Sequence, residues 1–180
     1  MSAQDSTKAA DLFKKNNMSP DNLVFTRLMF HDTISNSQGT TVYQHLFAVQ
    51  YFNGLPVLFT EAGYHFRDEV YWTEIGTVYQ QNQAPSDTRP VLTLPQMRAL
   101  FMNQVNKDGY MTTLKDSCLV AEHGYYDLNV GISYSTPKLV KAWAVTPAHS
   151  SYPQAVFRDD KDGTLIYYFD GIETANRSPR

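Results

Sequence analysis

The residues whose types could form a nucleophile and its base are Cys118 and His123, five apart. A cysteine reacts as its thiolate, which forms near neutral pH only beside a base or a cation. Lys115 is nearby, but no Lys, Arg or His flanks Cys118 directly. The expected role is therefore that of a small apolar residue entering a strand. As the only cysteine, it excludes an intramolecular disulfide and a Cys-based zinc site, which takes two or more thiolates. Glu61 and His65 are four apart and would share one face of a helix. The aromatic residues around them read as strand, where four residues span about 13 Å, too far for one ion. With no third ligand visible, no metal site is expected here.

The run Asp159-Asp160-Lys161-Asp162-Gly163 has the look of a calcium loop. Placing Gly163 at the loop's required glycine puts Arg158 first and Phe169 twelfth. Both positions need oxygen donors, so the run is expected to be an Asp-Gly hairpin turn instead. The G-x-S-x-G, G-x-x-x-x-G-K-[ST], H-E-x-x-H and G-x-G-x-x-G patterns do not occur. The common motif-borne routes to hydrolysis, phosphate binding and dinucleotide binding are thereby set aside, and a non-enzymatic protein without cofactors is expected.

Recognition chemistry is better represented. Twelve Tyr and ten Phe bring the aromatic share to 13%, which suits half-buried pleated sheets. Tyr125-Tyr126, with Tyr134, and Tyr167-Tyr168 form tyrosine-rich stretches. Strand alternation sends one of each adjacent pair into the core and the other outward. The candidate binding surface comprises Tyr51, Asn53, Gly54, Pro56, Tyr126 and Tyr168. A net charge of -3 and a pI near 5.9 come from scattered charges, with no basic stripe to displace counterions from a phosphate backbone. Nucleic acid is not an expected partner.

The elements that must position these residues fall into two similar runs. The first begins with a helix from about Ser6 to Asn16, capped by Ser6 or Asp5, with Ala9, Leu12 and Phe13 on one stripe. Strands follow at Leu23 to His31, Val42 to Phe52, Leu55 to Thr60, Gly63 to Phe66 and Val70 to Ile75. A polar turn is expected around 35–39. Asn53-Gly54 should form a two-residue hairpin turn with Gly54 at positive φ. Pro56, which cannot donate into a ladder, then calls for an edge position, making Leu55 to Thr60 a candidate docking rail. Residues 81–92 read as a linker between a unit at 1–80 and a unit at 93–180.

The second run starts with a helix capped by Thr93, with Pro95 in its first turn. Met97, Leu100, Phe101 and Val105 line one face, and Asp108-Gly109 ends it. Strands are expected at Leu119 to Glu122, Tyr125 to Tyr134, Lys138 to Thr146, Gln154 to Asp159 and Leu165 to Phe169, with a turn at His123-Gly124. Helices and strands segregate in each run, which points to an α+β fold. At 180 residues, the chain can bury roughly 70% of its unfolded surface without staples. No apolar run approaches the roughly 20 residues that span a bilayer. Met1 to Asn17 is polar and carries no signal-peptide core. The expectation is an extracytoplasmic protein, in the periplasm or on the cell surface, with an export signal or lipid anchor upstream.

His45 to Phe66, HLFAVQYFNGLPVLFTEAGYHF, resembles the FTP motif of bacterial thermolysin-type propeptides, through Gln50, Tyr51, Asn53, Gly54, Leu55, Pro56, Val57 and His65. The part from Leu94 onward is similar to a PepSY unit, with Asp159, Gly163 and Leu165 near its closing turn. The resemblance implies two tandem cystatin-like units, each a sheet wrapped on a helix. It also implies an inhibitory or regulatory module that binds a protease or an envelope sensor, with another envelope or secreted protein as partner. The alternative expectation is a carrier of a small apolar ligand in the cell envelope.

Overall fold

The computed structural model describes residues 1–37, 39–109, 114–115, 118–132 and 135–171, with the backbone alone for 28–31. Tyr134 and the tail from Glu173 to Arg180 lie outside the described residues. The described residues form an α+β fold, with two α-helices and two antiparallel sheets. The chain divides into two compact units, Met1–Gln83 and Ala84–Arg180.

In the first unit, helix α1 (Ala3–Lys15) starts earlier than its apolar stripe suggests, because the cap is Ser2. The Ser2 hydroxyl accepts the Asp5 N–H at 3.1 Å, satisfying one of the backbone donors that a helix start leaves over. At the other end, the Asn16 side chain donates to Leu12 O at 2.8 Å and Glu69 O at 2.9 Å, and accepts the Tyr71 N–H at 2.7 Å. One carboxamide thus ties the helix end to the sheet.

The first sheet has the order β1 (Leu23–Asn36), β2 (Gly39–Phe52), β4 (Ala62–Arg67), β5 (Val70–Ile75), with β3 (Leu55–Pro56) paired to β2 alone. The β1–β2 hairpin runs through most of the polar cluster expected to be its turn, since Ser35 still pairs with Thr40. Ala9, Leu12 and Phe13 of α1 pack with Leu46, Ala48, Ala62, Tyr64 and Phe66. The Phe13 ring meets Phe25, Tyr64 and Phe66 with centroids 5.4, 4.8 and 5.7 Å away. Edge and tilted contacts of this kind set the aromatic core.

Asn53 and Gly54 form the expected tight tip, with φ of 51° and 83°, between Phe52 and its partner Leu55. Positive φ at both residues is the primed-turn geometry that matches strand twist. The strand after it is shorter than expected. Leu55 and Pro56 alone are paired as strand, and Val57 and Leu58 turn inward and are buried. Apolar burial outweighs continued extension there, so Leu55 to Thr60 offers no docking rail.

In the second unit, helix α2 (Leu94–Asp108) begins as its sequence predicts. The Gln96 side-chain oxygen accepts from both the Thr93 N–H and the Thr93 hydroxyl at 2.8 Å, and Pro95 lies in the first turn. The second sheet is a meander in sequence order: β6 (Leu119–Asp127), β7 (Leu139–Pro147), β8 (Gln154–Arg158) and β9 (Leu165–Phe169). Met97, Phe101 and Val105 pack with Leu119, Trp143, Val145, Ala155 and Phe157.

The break expected at His123-Gly124 does not occur. His123 pairs with Trp143 and Gly124 with Ala142 inside one continuous strand. The absent side chain of Gly124 suits a covered position in this sheet rather than a turn.

Candidate functional site

The surface with the densest recognition chemistry lies on the first sheet, on the face opposite α1. Alternation along β2 puts Leu46 and Ala48 in the core and Tyr43, His45 and Phe47 on the other face. Neighbouring strands add to this row. Tyr43 stands 6.1 Å from Trp72, His45 stands 4.7 Å from His65, and Phe47 stands 6.4 Å from His65, all between ring centroids. The Arg27 guanidinium caps the row 4.9 Å over the Phe47 ring, a cation–π contact, while its NH2 nitrogen lies 2.9 Å from Glu61.

This row leads to an open edge. Among the described residues, β5 ends the sheet and pairs only with β4. Its apolar residues Val70, Trp72 and Ile75 are 63%, 62% and 64% exposed. His65 pairs with Thr73 and Phe66 with Tyr71, so Trp72 is the extra residue of a β-bulge. A bulge re-aims the side chain it carries, and here it brings Trp72 against Tyr43.

At the centre of the row, His45 Nδ1 and His65 Nδ1 are 2.5 Å apart. Burial, and then the neighbouring His45, hold His65 below the ordinary histidine value. Glu61, which the spacing pairs with His65, turns instead to Arg27 and the Thr26 hydroxyl. Among the described residues, no group of three or more His, Cys, Asp or Glu is placed to hold a metal ion.

The second unit holds its charged centre under the sheet. The Asp159 carboxylate is buried. It accepts the N–H groups of Val91 and Leu92 at 3.0 Å, His123 Nε2 at 3.0 Å and Trp143 Nε1 at 3.3 Å. Lys141 Nζ is 3.7 Å away. Burial pushes the carboxyl up, but the hydrogen bonds from Leu92, Val91 and His123 outweigh it and hold the group below its ordinary value. Cys118 stands immediately before β6, at the strand entry expected of it, and is exposed. Leu119 to His123 alone spans about 13 Å of strand, so the thiol and this imidazole do not form a nucleophile–base pair.

The acidic run ending at Gly163 is the β8–β9 turn. Asp160 Oδ1 accepts the N–H groups of Asp162 and Gly163 at 3.1 and 2.8 Å. Its carboxylate is spent on the turn's own backbone.

The six residues assigned to a binding surface fall into separate places. Tyr51, Asn53 and Gly54 gather at the β2–β3 tip, where Asn53 Oδ1 accepts from Gln81 at 3.4 Å. Pro56 is buried and contributes no surface, because the chain turns inward after it. Tyr126 and Tyr168 are on opposite faces of the second sheet. Tyr168 packs against the core and its hydroxyl reaches Asp108 at 3.3 Å, so Tyr167 is the outward member of that pair. Tyr125 is the buried member of the other pair, donating to Pro85 O at 2.9 Å.

Tyr126 is close enough to Tyr167 that burial, then that neighbour, raise its phenol above the usual value. Tyr152 meets Phe169 edge-on at 5.0 Å. Sequence reasoning missed the row of Tyr43, His45, Phe47, His65 and Trp72. The period-2 placement of Tyr43, His45 and Phe47 was the signal available for it.

A comparison with models of known protein families found no match, and none of the curated proteins matches the chain. No helix among the described residues is long and apolar enough to cross a membrane.

Proposed function

We propose that the chain is a non-catalytic binding module of the cell envelope, built from two tandem cystatin-like units, which docks an extended segment of another protein along β5. The observation that carries this reading is the β5 edge, with its exposed Val70, Trp72 and Ile75. An edge strand offers unpaired backbone donors and acceptors to an incoming strand. Proteins that leave such an edge without a partner usually blunt it with charge, proline or a cover. Here Glu74 is the one charged residue of β5, and the exposed Val70, Trp72 and Ile75 adjoin an aromatic row, which suits a partner strand with apolar side chains at alternate positions.

The resemblance to thermolysin-type propeptides supplies the class of partner, a protease or an envelope sensor held by an inhibitory or regulatory module. The extracytoplasmic location belongs to the same reading. The reading as a carrier of a small apolar ligand needs an empty apolar cavity. Against it stand the filled spaces under both helices, where Phe13, Leu46, Phe66, Met97, Phe101 and Val105 are almost completely buried.

Cell fractionation followed by a pull-down with the purified chain tests both parts. Detection in the envelope fraction, with capture that depends on Trp72, supports the proposal. A wholly cytosolic protein would overturn the location, and capture indifferent to Trp72 would overturn the docking edge.

A further inference from the structure

We propose that His45 and His65 form a two-histidine binding site for a divalent first-row transition metal ion of the copper, nickel or zinc type, on the outer face of the first sheet. The two residues are directly opposite one another on antiparallel strands. Their rings stand 67° apart in plane, with Nδ1 facing Nδ1 at 2.5 Å. Two neutral imidazoles in this arrangement share one proton at most, since one nitrogen must donate and the other accept.

Two further observations point from a shared proton to a cation. The Asp32 carboxylate lies 3.9 Å from His45 Nε2. At this distance the contact is electrostatic and not a hydrogen bond, but a carboxylate on that side favours an N–H at Nε2 and leaves the Nδ1 lone pair towards His65, as outer carboxylates do for metal-bound histidines. The second is His65 Nε2, which is buried and has no hydrogen-bond partner among the described residues. His65 Nδ1–H is then the donor to His45 Nδ1, and the proton that a metal displaces from it moves to His65 Nε2, where no existing hydrogen bond has to be broken.

Gly63 packs closely beside the pair, since a Cβ there would stand 3.4 Å from His65 Nε2 and 3.0 Å from the Phe47 ring, so room for a metal comes from rotation of the two rings. A metal bound at about 2.0–2.1 Å from each nitrogen needs the nitrogens about 2.9–3.4 Å apart. The rings must open by less than about 1 Å, within reach of small side-chain rotations. Imidazole pairs suit copper, nickel and zinc and discriminate against magnesium and calcium, which take oxygen ligands. Glu61 is engaged by Arg27 and Thr26, so water completes the coordination.

Titration of the full chain with copper(II) chloride, after removal of adventitious metal, tests the site. Electron paramagnetic resonance should show one equivalent bound through two nitrogens. His45→Gln and His65→Gln should each abolish the two-nitrogen signal, and Asp32→Asn should weaken binding by about tenfold or more. His149→Gln, at an exposed residue of the second unit, should leave it unchanged. Circular dichroism establishes that the variants are folded. Should either His45→Gln or His65→Gln fail to fold, a His45→Asn, His65→Asn pair replaces it. Two-nitrogen binding that persists in folded variants of either histidine, or a wild-type chain that takes up no stoichiometric copper, would overturn the proposal.

Discussion

The Asp159 carboxylate accepts His123 Nε2 at 3.0 Å and, from the same oxygens, the backbone N–H groups of Val91 and Leu92. This single buried group joins β6, the end of β8 and the residues just before α2. Asp159→Ala leaves these donors buried without an acceptor. The expected cost is about 3–5 kcal/mol, the usual scale for removing one partner of a buried charged network. Urea unfolding should show a lower midpoint for the second unit. An unfolding free energy within about 0.5 kcal/mol of wild type would show that the carboxylate does not anchor the unit.

The same group sets a pH dependence. Its carboxyl is held below the ordinary value, so its contribution is fully present above the unfolded value of about 3.9. It is lost as pH falls through the lower folded value. Asp159→Asn should therefore flatten the acid side of the stability curve of the second unit while leaving the slope at neutral pH unchanged. An acid limb identical to wild type contradicts the assignment.

Two glycines separate backbone strain from crowding. A side chain at Gly54 would meet nothing within 4 Å, so Gly54→Val should cost about 1–3 kcal/mol through its φ of 83° alone. Gly163 adds crowding to a φ of 60°, since a Cβ there would stand 2.3 Å from Leu100 Cδ1. Gly163→Ala should lower the thermal midpoint, and Leu100→Ala in the same chain should make the further loss smaller than additive. Strict additivity would show that the β8–β9 turn does not press on α2.

Tyr125 offers a smaller test. Its ring is buried and its hydroxyl donates to Pro85 O. Tyr125→Phe keeps the ring and deletes the bond, and should cost about 1 kcal/mol in a denaturant melt. No change would show that the bond between β6 and Pro85 adds nothing to stability.

Local chemistry was legible in the sequence wherever one short segment decides the outcome. Thr93 and Pro95 mark the start of α2, and Asn53-Gly54 marks the primed turn. What was not legible depends on partners distant in sequence. Gly124 reads as a break until Ala142 pairs with it. Asp159 reads as part of an acidic turn until Val91, Leu92 and His123 converge on it. Pro56 reads as exposed strand until Val57 and Leu58 bury themselves. The outer row of the first sheet is assembled from β2, β4 and β5, and the bulge that turns Trp72 onto Tyr43 leaves no local signature.

The docking edge is the central claim, and hydrogen exchange across it is the most direct test. The wild-type chain and a Val70→Lys, Trp72→Lys variant are used as bait in an envelope extract, and amide exchange is then followed in the complex formed. Both positions are exposed, so the variant should keep its stability within about 0.5 kcal/mol. The account predicts that the variant loses the captured protein and that alternate amides along residues 70–75 are protected in the wild-type complex. A complex that forms equally well with the variant, with exchange along 70–75 unchanged, would contradict it.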